Sequence, residues 1–390
     1  MHLLIIPSWY PYANRPLTGI FFREQALALR EADYQVGVVA PIQKSIKEIS
    51  GLSSFRSGGA HWVDDGGVAT LREEQWSIPK FRRLNMSRWL ACGRRLVEEY
   101  IAAKGRPDIV HAHSLLYAGM LAVEIKEIHQ IPYVITEHSS GYARGLIHEW
   151  QLPYIRTAIR EASWHLAVSQ ELAQLLGSFV AVPGRGWSYL PNMVDTDFFS
   201  GGPVEPCTDR KRPFVFFAAA FLTQHKGMHF LIEAFASNFA GAEVELWIGG
   251  DGEEKERLEQ QTSKAGVNGR IRFLGQLDRE QMRSTMQRCD AFVLPSFYET
   301  FGVVLIEALA TGKPVIATRC GGPESIVNEK NGFLVDPANA DALGGAMRQM
   351  IETRDRFHKE TIRADCIARF SRRAVIGELG NIYRFVGHDG

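Results

Sequence analysis

Short strand-like segments alternate with helix-like segments along this 390-residue chain, and the alternation starts again near its middle. Each strand-like segment is rich in β-branched or aromatic residues and ends in a turn signal, often proline or glycine. In the first half, strands are predicted at 2–7, 36–40, 108–111 and 133–136, and helices at 20–32, 121–129 and 152–161. Strands alternating with helices favour a parallel sheet that is covered on both faces.

The second half repeats this organisation after a polar stretch, 203–213, that has three prolines and the charged run D-R-K-R and is typical of a linker. Strands are predicted at 214–219, 243–248, 271–274, 291–294 and 315–317, and a helix at 228–240. We therefore expect an α/β chain with an N-terminal domain at 1–195, joined by a C-terminal helix at about 371–390, and a second domain at 196–370. Ligands of such sheets bind beyond the carboxyl ends of the strands, so two facing domains would create a cleft.

Composition narrows the class of protein. Hydrophobic residues make up 45% of the chain, charged residues 23%, and the formal net charge is zero, which argues against nucleic acid as a partner. The longest apolar run, 214–222, has nine residues, and a membrane helix needs roughly 20. The start of the chain lacks a signal-peptide pattern, and the five cysteines are scattered. We expect a cytoplasmic protein, with contact at a membrane surface left open.

Two carboxylates lie eight positions apart in L-P-S-F-Y-E-T-F-G-V-V-L-I-E-A-L, residues 294–309. Glu299 falls in the loop after a predicted strand, and Glu307 falls in the predicted helix 302–311. A helix N-terminus in this place suits a phosphate, a carboxylate beside it can bind sugar hydroxyls, and a deeper one can bind a ribose diol. Alternatively, Glu299 caps the helix and Glu307 is exposed, although neither role explains the apolar surroundings.

This segment resembles the E-x7-E motif of family-4 retaining glycosyltransferases, which have the GT-B fold of two facing Rossmann-like, doubly wound parallel-sheet domains with an interdomain cleft. Other stretches are similar to motifs of that family and occur in its order. They are T-G (18–19), H-A-H-S (111–114), T-E-H-S (136–139), L-P-N-M-V-D (190–195), H-K-G (225–227), G-G-D-G (249–252) and F-L-G-Q-L (273–277). The resemblance covers nearly the whole chain.

The resemblance implies a transferase that moves a sugar, of the glucose-type hexoses, from a UDP-sugar to a saccharide or lipid-linked acceptor in polysaccharide biosynthesis, without a metal or another cofactor. It places Glu299 at the donor sugar, Glu307 on the ribose and His138 where it orients the sugar or a phosphate oxygen. The other residues that it implicates are Lys226, Gly19, Val303 and Val304 at the diphosphate, Thr300, Phe301 and Gly302 at the sugar hydroxyls, and Gly250 and Leu277 in nucleotide-binding loops.

One position departs from the family pattern. Where the family usually has an arginine, five residues before Lys226, this chain has Phe221. The diphosphate charge would then rest on Lys226, the helix N-terminus and His225. Two further patterns suggest metal chemistry superficially: Asp195-Thr-Asp197 matches D-x-D, and His111, His113 and His138 invite comparison with a metal site. The D-x-D pattern does not follow the carboxyl end of a strand, and nothing in the sequence shows that the three histidine side chains converge on one point. We therefore predict no metal.

A basic segment at 80–95 is best interpreted as a solvated helix face, with contact to anionic lipid or to a lipid-diphosphate acceptor as the alternative. Three rival classes of protein also remain open. A glycoside hydrolase would need two acids that flank one bond. A GT-B epimerase would change the donor sugar without an acceptor. A non-catalytic nucleotide-binding module is suggested mainly by Phe221.

Overall fold

The computed structural model describes residues 1–45, 58–179, 186–200 and 212–388. The chain forms two compact units, one of Met1–Leu190 with Val375–Gly390 and the other of Pro191–Ala374. The sequence-based boundaries, 195/196 and 370/371, differ from these by a few residues. Most of the predicted linker, 203–213, lies outside the described residues, as does Cys207.

The N-terminal unit is built on an eight-stranded sheet with the order β3-β4-β2-β1-β5-β6-β7-β8. Neighbouring strands are parallel except β3 and β4, which pair antiparallel. The strands are β1 (His2–Pro7), β2 (Gln35–Ser45), β3 (His61–Asp65), β4 (Val68–Ser77), β5 (Ile109–His113), β6 (Tyr133–Glu137), β7 (Trp164–Ala167) and β8 (Ser188–Tyr189).

Helices connect these strands. They are α1 (Ile20–Glu31), α2 (Arg82–Lys104), α3 (Met120–His129), α4 (Leu152–Glu161) and α5 (Gln170–Phe179). The last helix of the chain, α12 (Arg372–His388), belongs for most of its length to the N-terminal unit. Its Tyr383 is fully buried and its hydroxyl lies 2.6 Å from Nδ1 of His111 on β5. No helix within the described ranges is long and apolar enough to cross a membrane.

The C-terminal unit has a six-stranded parallel sheet with the order β11-β10-β9-β12-β13-β14. Its strands are β9 (Phe214–Ala219), β10 (Val244–Gly249), β11 (Ile271–Gly275), β12 (Ala291–Leu294), β13 (Val315–Thr318) and β14 (Gly332–Val335). Its helices are α6 (Met228–Phe239), α7 (Lys255–Lys264), α8 (Arg279–Arg288), α9 (Val303–Ala310), α10 (Ala340–Glu352) and α11 (Lys359–Phe370).

The central strands of both sheets are buried along nearly their whole length. All six residues of β1 and all four of β12 are buried, and Phe216 and Phe217 of β9 are fully shielded from solvent. Strands covered by helices on both faces read as continuous apolar runs, because neither face can be polar. This is why the sequence alone predicts these strands.

Asp195 of the D-x-D pattern is engaged within the C-terminal unit. Its Oδ2 lies 3.1 Å from the Arg372 guanidinium and 3.4 Å from that of Arg279. Its Oδ1 accepts hydrogen bonds from the backbone N–H groups of Asp197 and Phe198. The carboxylate therefore fixes the chain where it enters this unit, next to the start of α12.

Candidate active site

The loops that carry the C-terminal motifs all follow strands of one parallel sheet. Because β9, β10, β12 and β13 run in the same direction, their carboxyl ends lie at one edge of that sheet. Lys226 follows β9, Gly250 follows β10, and Glu299 follows β12. This is the edge at which open α/β sheets bind their ligands.

The loop that holds Glu299 is fixed by the segment after β13. The backbone N–H of Glu299 donates to the Cys320 carbonyl at 3.3 Å, and the Glu299 carbonyl accepts from the Gly322 N–H at 2.6 Å. A Cβ atom on Gly322 would lie 2.2 Å from Cα of Phe301, so only glycine permits this approach. The Thr318 hydroxyl also donates to the Ser296 carbonyl. Glu299 thus lies on a well-tethered loop.

Helix α9 begins directly after this loop. Gly302 has φ of 100° and is the N-cap, a conformation that favours glycine, and Phe301 before it is buried. The backbone N–H groups of Val303 and Val304 lie in the first turn, where a helix leaves its amides without intrahelical partners. Glu307 follows one turn later and is half-buried. The turn therefore presents positive dipole charge beside Thr300 and Glu299, as an anion site requires.

Lys226 reaches Glu299 because two loops pack closely. The segment Gln224–Lys226 forms a 3-10 turn that ends at Gly227, whose φ is 68°. A Cβ on Gly227 would lie 1.9 Å from the Pro295 carbonyl oxygen, and the His225 carbonyl accepts from the Phe297 N–H at 2.8 Å. Nζ of Lys226 then lies 2.7 Å from Oε2 of Glu299. Both side chains are largely shielded, with 19% and 17% exposure, so water screens this ion pair less than it screens a surface pair.

The two predicted nucleotide-binding loops also lie together. Gly250 has φ of 125°, its N–H donates to the Gly275 carbonyl at 2.7 Å, and a Cβ there would lie 1.8 Å from the Ala220 carbonyl. Leu277, half-buried, covers Gly249, because a Cβ on Gly249 would lie 2.7 Å from a methyl carbon of Leu277. The loops after β9, β10 and β11 thus meet through backbone contacts.

Gly19 and His138 belong to the N-terminal unit. Gly19 is the N-cap of α1 with φ of 69°, and a Cβ there would lie 2.8 Å from the Trp9 carbonyl oxygen. His138 follows β6 and is only 7% exposed. Its ring packs against the rings of Phe21 and Phe22, with centroids 5.1 Å and 4.9 Å away.

A buried carboxylate fixes the backbone at His138. Glu137 is fully buried, and its Oε1 accepts from the N–H groups of His138 and Ser139 while its Oε2 accepts from the Leu115 N–H, each at 2.8 Å. Burial raises the pKa of Glu137, and these three backbone donors work against that rise. The side chain therefore joins the loop after β5 to the loop after β6.

Three histidines form a buried cluster on β5 and at the end of β6. Burial lowers the pKa of His111 and of His138 to about 3 and lowers that of His113 well below its usual range. His111 contacts the Tyr383 hydroxyl at 2.6 Å and the Thr136 hydroxyl at 2.7 Å. Over the residues that the structure describes, no set of three or more His, Cys, Asp or Glu side chains is arranged to hold a metal ion.

Sequence reasoning missed several residues that shape these sites. The sequence alone assigns no role to Glu137, or to Gly322, Cys320 and Thr318, which hold the Glu299 loop. The signal for Glu137 was an acidic residue directly after the predicted strand 133–136, which is otherwise apolar or β-branched. The other three residues act through backbone contacts or a single hydroxyl bond, which leave no distinctive pattern.

The basic segment divides into two parts. Arg94 and Arg95 of α2 form ion pairs with glutamates of neighbouring elements. Near the start of the helix, Phe81 is 60% exposed and Leu84 is 46% exposed. Arg83 there stacks over the ring of Trp150 at 5.2 Å. Within the basic segment, apolar and cationic groups are thus exposed together at its start, around 81–84.

Two family models match the chain, one on each half. The model for Glycosyltransferase Family 4 matches residues 18–198, and the model for Glycosyl transferases group 1 matches residues 206–365. The chain belongs to the family-4 glycosyltransferases. The recognition of this family from the sequence is therefore confirmed, and so is the assignment of the chain as an enzyme that transfers sugars.

Relatives and solved structures agree with this assignment. The chain is 28% identical over 369 residues to TuaC of Bacillus subtilis (strain 168), and the match covers 89% of this chain and 88% of TuaC. TuaC is named as a teichuronic acid biosynthesis glycosyltransferase. Sucrose-phosphate synthase from Thermosynechococcus elongatus has a similar fold, with a TM-score of 0.78, 20% identity and full coverage of both chains.

A third similar protein is Anabaena Alr3699/HepE, solved in complex with UDP, with a TM-score of 0.75 and 21% identity over 98% of this chain and 99% of that one. Together with the two parallel-sheet units, these structures confirm the predicted GT-B fold.

Proposed function

We propose that this glycosyltransferase transfers a hexose, of the glucose type, from a UDP-sugar to a saccharide or lipid-linked acceptor in polysaccharide biosynthesis, with retention of the anomeric configuration. The observation that carries the proposal is the Lys226–Glu299 ion pair beside the N-terminal turn of α9. A cation, a carboxylate and free backbone amides at one edge of a sheet suit a sugar that is attached to a pyrophosphate. HepE, a protein of similar fold, has been solved with UDP and with UDP-glucose.

The C-terminal unit binds the donor in this proposal. Glu299 accepts hydrogen bonds from the sugar hydroxyls, together with backbone groups of Thr300, Phe301 and Gly302. Glu307 binds the ribose, and the backbone at Gly250 and Leu277 contacts the nucleotide. These roles fit the places of the residues at the carboxyl edge of the sheet.

The pyrophosphate is stabilised by Lys226, by the N–H groups of Val303 and Val304, and by the backbone at Gly19. As the glycosidic carbon separates from the phosphate oxygen, negative charge accumulates on that oxygen. Hydrogen-bond donors that are already oriented stabilise such charge without reorganisation. In other enzymes a bound metal ion stabilises the charge of the leaving group in this way. Lys226 and the amides of α9 are held in this way by Gly227 and Gly302.

Retention follows if the acceptor hydroxyl attacks the anomeric carbon on the face from which the phosphate departs. The bond from that carbon to the acceptor oxygen forms, the bond to the phosphate oxygen breaks, and the acceptor proton moves to the departing phosphate. UDP and the new glycoside are the products. Glu299 orients the sugar in this scheme and forms no covalent intermediate, and His138 orients the sugar or a phosphate oxygen.

The acceptor binds the N-terminal unit, and contact with a membrane surface involves the first part of the basic segment 80–95. Exposed Phe81 and Leu84 supply apolar area, and Arg82 and Arg83 supply charge. Such a combination suits the interface of an anionic membrane. Arg94 and Arg95 are engaged in ion pairs and contribute little to it.

The experiment is a transfer assay with the full chain, UDP-glucose and other sugar nucleotides as donors, and a panel of oligosaccharide acceptors. UDP release and the anomeric configuration of the product are measured by chromatography and NMR. We expect UDP release that depends on the acceptor, and an α-glycoside from an α-linked donor. Conversion of the UDP-sugar into a different UDP-sugar in the absence of an acceptor would identify an epimerase. A β-glycoside product would refute retention.

Variants separate the proposed roles. We expect Lys226→Met to weaken UDP binding by about 10- to 100-fold, and Glu299→Gln to lower kcat by about 100-fold. Glu307→Gln should weaken the binding of UDP more than that of inorganic pyrophosphate, because it contacts only the ribose. Lys264→Met and Glu259→Gln on exposed positions of α7 are the matched controls. Turnover by Glu299→Gln equal to that of the control would contradict the assignment, and would favour a site elsewhere.

A further inference from the structure

The ring of His138 is held on three sides. Phe21 and Phe22 pack against it, and its Nε2 lies 3.1 Å from Nδ1 of His113. His113 is the last residue of β5 and is completely buried, whereas His138 lies just beyond the end of β6. One nitrogen of His138 is therefore committed to His113, and Nδ1 is the nitrogen that remains for another partner.

Nδ1 of His138 and Nε2 of His113 are buried, and neither has a hydrogen-bond partner among the described residues. Buried polar atoms nearly always have a partner, either in the protein or in a bound molecule. Two such atoms at the opposite ends of one histidine pair therefore need an explanation. Both lie at the carboxyl ends of β5 and β6, the edge at which open α/β sheets bind their ligands.

A single proton lies between Nδ1 of His113 and Nε2 of His138. Burial lowers the pKa of both imidazoles far below neutrality, so each ring is neutral and carries one N–H and one acceptor nitrogen. If His113 donates from Nδ1, His138 carries its own proton on Nδ1. If His138 donates from Nε2 instead, its Nδ1 is a bare acceptor, and the unpartnered N–H lies on Nε2 of His113.

The places of the two residues in the sheet favour one of these arrangements. An N–H group buried without a partner is rarer and more costly than an unpartnered acceptor. Both unpartnered nitrogens are buried, but His113 lies inside β5 with 0% exposure of the residue, whereas His138 lies in the loop beyond β6 with 7% exposure, so a ligand at this edge of the sheet meets His138 first. The unpartnered N–H therefore belongs on His138, and the bare acceptor nitrogen belongs on His113.

We propose that His113 is a positioning residue, which donates from Nδ1 to Nε2 of His138 and thereby holds His138 in the tautomer whose Nδ1–H donates to an oxygen of the sugar or pyrophosphate. This inference rests on the proposed function, because the substrate oxygen belongs to the donor proposed above. Beyond the proposed function, it specifies that Nδ1 is the atom of His138 that contacts the UDP-sugar and that this nitrogen is protonated. It also specifies that His113 sets this protonation.

The surroundings of His113 keep its own ring in place. It stacks on His111 with centroids 4.3 Å apart and planes inclined by 26°. His111 is in turn fixed by the hydroxyl groups of Tyr383 and Thr136, on α12 and β6. Glu137 fixes the backbone at His138. The tautomer of His138 is thus specified by a network that reaches from the end of β6 to the last helix of the chain.

The direct test is the tautomer of His138 in the full chain. The protein is labelled with ¹⁵N-histidine, the two ring nitrogens of each residue are identified by long-range ¹H–¹⁵N correlation at pH 7.5, and His138→Gln assigns the signals. We expect a protonated Nδ1 and a bare Nε2 at His138, and a protonated Nδ1 at His113. A proton on Nε2 of His138 would overturn the proposal. This readout needs no substrate, so it stands apart from the success or failure of the UDP-sugar assay.

Kinetics with UDP-glucose test the consequence for turnover. His113→Phe keeps an aromatic ring between His111 and Phe22 but removes the donor, and we expect kcat to fall by about 10- to 100-fold with KM changed by less than about threefold. His113→Asn places an amide N–H near the position of Nδ1, and we expect it to restore kcat to within about fivefold of the wild-type value.

A control separates positioning from loss of stability. His165→Asn changes a histidine of the same sheet that is also buried, with 2% exposure, but contacts the Ile159 carbonyl instead. We expect its kcat to stay within about twofold of wild type at temperatures where it remains folded. If His113→Phe is folded and retains full kcat, or if His165→Asn loses as much kcat as His113→Phe, His113 has no positioning role.

Discussion

The buried histidines predict that acid destabilises the N-terminal unit. Burial lowers the pKa of His111 and His138 from 6.5 to about 3, so the folded state stays unprotonated at pH values where the unfolded chain binds protons. The stability that these groups contribute is therefore fully present above pH 6.5 and is lost as the pH falls below it. Lowering the pH from 7 to 5 costs about 2 kcal/mol for each group, or about 4 kcal/mol for the two.

Other groups in the unit modify this sum. The pKa values of His113 and His2 are also lowered, first by burial, so they act in the same direction. The pKa of Glu137 is raised by burial, so its protonation in the folded state opposes the effect as the pH falls. A loss of about 4 kcal/mol is nonetheless a large part of the 5–15 kcal/mol that typical domains possess.

Amide hydrogen exchange measures this loss locally. Peptides that cover β5 and β6 are followed at pH 7, 6 and 5 under native conditions, and the rates are corrected for the intrinsic dependence of exchange on pH. We expect the free energy of opening to fall by about 4 kcal/mol, and by about 2 kcal/mol less in His138→Gln, which lacks one of the titrating groups. His61→Gln, at an exposed position on β3, is the control and should match wild type. A decrease below about 1 kcal/mol in wild type, or an unchanged dependence in His138→Gln, would refute the argument.

Two substitutions test the local geometry. We expect Gly227→Ala to destabilise the C-terminal unit by about 2 kcal/mol or more and to weaken UDP binding, because the residue has positive φ and its Cβ would meet the Pro295 carbonyl. Thermal unfolding with and without UDP measures both effects. The control Gly241→Ala, whose Cβ meets no atom within 4 Å, should change neither. We expect Glu137→Gln to cost about 1–3 kcal/mol in the free energy of unfolding, because one of three backbone donors would then face an amide N–H. Denaturant unfolding followed by a probe in the N-terminal unit measures this cost against Glu127→Gln, which is exposed on α3, and equal stability of the two variants would contradict it.

The strands that the sequence predicts are those buried on both faces. The predicted strand at 291–294 is β12 to the residue, and 214–219 is β9, because apolar runs bounded by turns have few other interpretations. The sequence analysis missed β3 and β4 at the edge of the first sheet, where V-A-T-L-R-E-E-Q-W-S mixes charged with apolar residues. It also missed β7, whose sequence W-H-L-A contains a histidine and has no β-branched residue.

The candidate site was predictable as a set of residues but not as a set of contacts. Motifs indicated Lys226 and Glu299 separately, 73 positions apart, and nothing in the sequence paired the two charges. The pairing depends on how the turn at Gly227 packs against the loop after β12, which is a matter of a few ångströms. The bond between His113 and His138 depends in the same way on the register of β5 against β6.

Phe221 raises the question of how this chain would neutralise a pyrophosphate. The residue stands where the family usually has an arginine, and it is 66% exposed. The formal charges of Lys226 and Glu299 cancel, so in this state the positive potential at the pyrophosphate comes from backbone amides, those of α9 and the one at Gly19.

Lysine offers a solution, because its ammonium group has three N–H donors and the bond to Glu299 uses one of them. Lys226 can therefore donate to a phosphate oxygen without leaving Glu299. Charge that develops on the phosphate would then strengthen the hydrogen bond from Lys226 to the phosphate oxygen. It would weaken the hydrogen bond from Lys226 to the Glu299 carboxylate, which lies next to the sugar in this proposal. We expect the pair to act as one unit, so that the double variant Lys226→Met/Glu299→Gln loses less activity than the sum of the single losses, in units of free energy.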